Sequence, residues 1–66
     1  MSKYDNILVQ LSGQDGNVFS VIGRVTKELR RNKVPSSEIE EFTSSCFKAG
    51  SYDEVLVLCM EWVNVQ

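Results

Sequence analysis

LSGQDGNVFSVIGRVTKELRR, residues 11–31, contains the change of period on which the fold turns. Leading into it, Ile7, Val9 and Leu11 alternate with Leu8 and Gln10, so the spacing predicts a strand over 6–11 with one strongly apolar face. Leu8 on the opposite face implies that this face is partly covered as well. Further on, Val18, Val21, Ile22, Val25 and Leu29 fall at i, i+3, i+4, i+7 and i+11, the buried stripe of a helix over 18–32. Between the two lies SGQDGN, residues 12–17. Gly, Asp and Asn tolerate positive φ and allow a sharp bend, and Asn17 or Asp15 can accept a hydrogen bond from the first free amides of the helix.

Beyond this stretch, Asn32 and Lys33 end the helix, and Val34-Pro35 punctuates the chain because a residue before proline avoids the helical region. Ser36 or Ser37 starts a second helix, with Ser37 and Glu40 spaced as a capping box. Glu38, Glu40 and Glu41 favour the positive end of its dipole. Ile39, Phe42, Cys46 and Ala49 mark its inner side, and Gly50 is expected to close it as a left-handed cap. Ser51 with Glu54 forms another capping box, opening a third helix with Tyr52, Val55, Leu56, Cys59 and Trp62 at helical spacing. Val63 and Val65 flank Asn64, which reads as a short strand or as a frayed helix end. The strand is preferred because the first strand needs a partner. Residues 1–5 are polar and read as a frayed lead-in.

The chain has 66 residues, enough for one domain and no second. At this size folding buries only about 60 % of the unfolded chain's surface, so an isolated core is marginal. Two cysteines and no histidine argue against a disulfide framework or a zinc site, and no metal or cofactor is called for. That leaves self-association or a well-packed helical core, and a homo-oligomer is expected. The lack of histidine also removes a hydrolytic triad or a histidine base, so no enzyme chemistry is expected. No stretch reaches the ~20 apolar residues of a membrane span, and the start is unlike a signal peptide. The expectation is a cytoplasmic chain with free thiols.

Charge is unevenly placed. Residues 24–33 hold Arg24, Lys27, Arg30, Arg31 and Lys33 against Glu28, whereas residues 34–66 hold six acids against Lys48. This pattern suggests pairing of helices within or between subunits. The acidic pI of 4.9 disfavours nucleic acid as a partner.

The candidate site is the junction of turn and helix. Gly13 and Gly16 can turn backbone amides outward beside a helix N-terminus, with Asp15 and Asn17 in the same turn, which suits a phosphate or carboxylate. The pattern lacks a P-loop lysine and the third glycine of a dinucleotide fingerprint. A capped turn with nothing bound is the plainer reading. Ser20, Arg24, Lys27 and Arg31 form a polar and basic stripe at i, i+4, i+7 and i+11, opposite the apolar face. Most such stripes are solvated. Gly23 lies beside it, where glycine costs about 1 kcal/mol relative to alanine, and a close approach or a merely flexible position would account for it. Cys46 and Cys59 are read as buried packing on neighbouring helices. Phe19 and Phe47 fall off the apolar faces, as interface anchors do.

The segments GQDGNVFSVIGRV, GSYDEVL and MEWV, with VPSSEIEEF between, resemble a group of short proteins found in bacteriophage genomes, over residues 11–65. The resemblance implies a context of host takeover or anti-defence, exercised by binding a host protein or sequestering a nucleotide signal, in the host cytoplasm. It carries no activity over to particular residues.

The fold expected is therefore α+β: one N-terminal strand, three helices and a short C-terminal strand in a single domain over residues 1–66. The function expected is non-enzymatic binding of an anionic, nucleotide-like ligand by Gly13, Asp15, Gly16, Asn17, Ser20, Arg24, Lys27 and Arg31. The alternative is inhibition or adaptation of a host protein through the basic helix.

Overall fold

The computed structural model describes residues 2–11 and 17–66. Their order is β1 (Tyr4–Val9), α1 (Val18–Arg31), α2 (Ser36–Lys48), α3 (Tyr52–Trp62) and β2 (Val63–Val65). The fold is α+β, with both strands in one two-stranded parallel sheet. Parallel pairing of the chain's two ends requires a long crossover, and here the three helices supply it.

The periods act as the sequence indicates. Ile7 and Val9 point inward from β1, and Val21, Ile22, Val25 and Leu29 do so from α1. Ile39, Phe42 and Cys46 of α2, Val55, Cys59 and Trp62 of α3, and Val63 of β2 complete one core. Phe42 meets Trp62 edge-on, with ring centroids 5.5 Å apart. Thr26 is buried too, its hydroxyl bonded to the Gly23 carbonyl at 3.1 Å. Leu8 is 54 % exposed, so the outer face of β1 is open where partial cover was expected.

The strand begins earlier than its apolar alternation suggests, at Tyr4 rather than residue 6. Residues 2–5 are also not a frayed lead-in. Lys3 N–H donates to the Glu61 carbonyl at 2.7 Å, and the Tyr4 ring stacks on Trp62 at 6.1 Å. The Lys3 ammonium stands 4.4 Å from the Trp62 ring centroid and 2.6 Å from Glu38 Oε1, to which the Tyr4 hydroxyl also donates at 2.6 Å. These polar residues are tied down because each places an apolar stem or ring on Trp62 and a polar tip on Glu38. Hydrogen bonds from Lys3 and Tyr4 hold the Glu38 carboxyl below its usual range, and the same contacts raise the Lys3 ammonium and the Tyr4 phenol.

Helix ends differ in detail from the expected caps. Asn17 caps α1, its side chain accepting from Phe19 N–H at 2.8 Å; Asp15 lies outside the described residues. At the other end Lys33 takes φ of 63°, with Lys33 N–H on the Arg30 carbonyl and Val34 N–H on the Leu29 carbonyl, each at 3.0 Å. This is a Schellman closure with lysine where glycine is usual, and buried Val34 supplies its apolar contact. No Ser37–Glu40 box forms. The helix starts at Ser36, the earlier of the two expected starts, with Pro35 at its N-cap, whose carbonyl accepts from Glu38 and Ile39. Nor is Gly50 a left-handed cap: α2 ends at Lys48 and Ala49 is extended. Gly50 instead donates its amide to Glu54 Oε2 at 2.7 Å, where a Cβ would stand 2.9 Å from that oxygen. Ser51 caps α3 as expected, accepting from Glu54 N–H at 3.2 Å, while the Glu54 carboxylate returns to the Gly50 amide rather than to that of Ser51.

Candidate functional site

The outward flank of α1 repeats every turn, so Ser20, Gly23, Arg24, Lys27 and Glu28 form one surface. Opposite them stand Leu8, Val9 and Gln10 from the end of β1, and the two banks enclose an open cleft of about 540 Å³. Ser20 to Lys27 spans about 10 Å along the helix axis, the reach of about three residues of extended chain.

Three of the expected site residues thus meet: Ser20, Arg24 and Lys27. Arg31 does not line the cleft. Its guanidinium turns toward Glu28 at 3.8 Å and is otherwise well exposed. Asn17 is engaged as the helix cap. Gly13, Asp15 and Gly16 lie outside the described residues. The strand's contribution, Leu8 and Gln10, was missed by sequence reasoning. Their shared parity was the available signal, since residues two apart on a strand face the same way. Arg24 and Lys27 bring two cations to this wall and Glu28 one carboxylate, beside which Arg31 stands.

Gly23 forms part of the cleft wall, and a Cβ built there has nothing within 4 Å. The glycine therefore answers to no close packing among the described residues. Gly23→Ala is expected to stabilise the fold by about 0.5–1 kcal/mol through helix propensity alone. That gain would read as a rise of several degrees in Tm for a domain of this size, by the rule of about 4–8 °C per kcal/mol. A fall in Tm on thermal denaturation would show that the position is crowded.

The remaining candidates resolve into structure. Cys46 and Cys59 are free and buried. Burial pushes the Cys46 thiol up to about 11, and burial with the neighbouring Cys46 pushes Cys59 up to about 12, away from nucleophilic use. Phe19 and Phe47 are 66 % and 61 % exposed and face each other at 6.2 Å. Among the described residues no group of three or more acids or thiols could hold a metal ion, and no helix is long and apolar enough to cross a membrane. In comparisons with protein-family models, curated proteins and solved structures, none matches the chain.

Proposed function

We propose that this is a non-enzymatic binding protein that takes an anionic partner in the cleft between α1 and β1. The observation that carries the reading is the meeting of Ser20, Arg24 and Lys27 in one cleft wall, facing the end of β1. Two cations one turn apart suit a phosphate or carboxylate, and a neighbouring hydroxyl adds a donor. The resemblance to phage-type proteins supplies the context: a host-takeover or anti-defence factor that sequesters a nucleotide-like signal. A second reading, inhibition of a host protein through α1, is favoured by the form of the cleft, which is open along its length.

Calorimetric titration of nucleotides and cyclic dinucleotides into wild type, Arg24→Ala and Lys27→Ala tests the first reading. Each truncation is expected to weaken a bound anion by about 1.5–3 kcal/mol, the range for a charged hydrogen bond. If wild type takes up none of these compounds, or the folded variants bind as tightly, the nucleotide reading fails.

We also infer self-association. Val57 and Met60 on the outward side of α3 are 51 % and 53 % exposed, and Met60 lines a small trough with Leu11, Tyr52, Leu56 and Val65. A helix apolar on so much of its circumference is ordinarily covered. Light scattering is expected to give at least a dimer mass, and Met60→Lys a smaller species. A monomer mass from micromolar to near-millimolar concentration would rule this out.

A further inference from the structure

We propose that the occupant of the cleft is an acidic, extended segment of another protein, which adds to the outer edge of β1 as a third strand. The inference rests on the anionic-cleft reading above, takes its second form, a protein partner at α1, and names that partner's chemistry. Its first support is main-chain parity. The Val9 carbonyl accepts from Gln66 N–H at 2.9 Å, and Leu11 N–H donates to the Gln66 carbonyl at 2.7 Å. The backbone groups of Val9 and Leu11 therefore face β2. Along an extended chain the direction alternates, so those of Leu8 and Gln10 face the opposite edge. Leu8, Val9 and Gln10 are the residues on the strand side of the cleft. An edge of this kind is a template for another strand.

The second support is space. A strand added to a sheet lies about 4.8 Å from its neighbour. On the helix side Gly23 presents no side chain and nothing stands within 4 Å of where one would be.

The third is charge, which selects the occupant. An added strand would lie beside two cations, Arg24 and Lys27, and one carboxylate, Glu28, which already has Arg31 at 3.8 Å, so carboxylates at its alternate positions would meet the cations. A second copy of β1 suits this edge badly. Two-fold pairing would bring its own α1 alongside, setting Arg24 and Lys27 against their counterparts. The edge thus favours a foreign acidic segment, while self-association is left to the apolar side of α3.

The test uses the full chain and fluorescently labelled eight-residue peptides of alternating Glu and Val, with alternating Lys and Val as the control. Two further Glu-Val peptides carry N-methyl groups on one or the other alternate set of amides, blocking the hydrogen bonds of one edge at a time. Anisotropy is expected to show binding of the Glu-Val peptide, weakened roughly tenfold or more by Arg24→Glu with Lys27→Glu. One N-methylated isomer is expected to bind roughly tenfold or more worse than the other. The Leu8 and Gln10 amides should gain protection from hydrogen exchange. Equal binding of both isomers, or unchanged exchange at Leu8 and Gln10, would overturn strand addition. Nucleotide uptake without peptide binding would also overturn it and leave the cleft reading standing. Failure of nucleotides and peptides alike would remove both.

Discussion

Phe42→Ala is expected to destabilise the fold by about 3–5 kcal/mol, the range for emptying a buried aromatic site. Phe42 has no exposed surface and is the largest fully buried side chain. Its ring abuts Trp62 at 5.5 Å, and Trp62 in turn carries Tyr4 on its face. Removing the ring leaves a cavity and withdraws one side of that aromatic stack. At roughly 0.05–0.15 kcal/mol per residue a domain of this length has about 3–10 kcal/mol in all. The variant should therefore be largely unfolded in water or lose its transition in low urea. Phe47→Ala, five residues further along the same helix but 61 % exposed, is the matched control. It should change the urea midpoint little. A Phe42 variant that melts like wild type would place the ring outside the core.

Leu29→Ala is expected to cost about 2–5 kcal/mol. Leu29 is fully buried, in the same core as Val25, Val55 and Cys59, with Leu56 at its margin. It also closes α1, since its carbonyl accepts from Val34 N–H and buried Val34 is its natural apolar partner in that closure. The truncation therefore removes core volume and loosens the turn between α1 and α2 together. A thermal midpoint within a degree or two of wild type would show that the helix presents another face.

Most of this architecture was legible because it follows from periodicity. The stripe from Val21 to Leu29 needs only helical geometry and an apolar interior, and the inward alternation of Ile7 and Val9 needs only a pleat. The α+β arrangement, the three helices and the short closing strand follow from these repeats. The illegible parts depend on contacts between residues far apart in sequence. Lys3 and Tyr4 look like solvated lead-in until Trp62 and Glu38 arrive beside them. Lys33 in the left-handed region runs against its own preference of about 1–2 kcal/mol and is held there by the closure around it. Part of the helix side of the candidate site was visible for the same reason as the core stripe. Ser20, Arg24 and Lys27 share a helix face by spacing alone, but which strand would stand opposite them is a matter of tertiary placement.

The pairing of β1 with β2 has a kinetic side. Tyr4 is matched with Val63 and Val9 with Val65, so each rung joins residues at least 56 positions apart. The turns between α1, α2 and α3 close short loops, which form early and at small entropic cost. The strand ladder can assemble only after the helices have brought the two ends together. On this topology helix docking is expected to precede zippering of the sheet, and the seam between β1 and β2 to be the last to shut and the first to part.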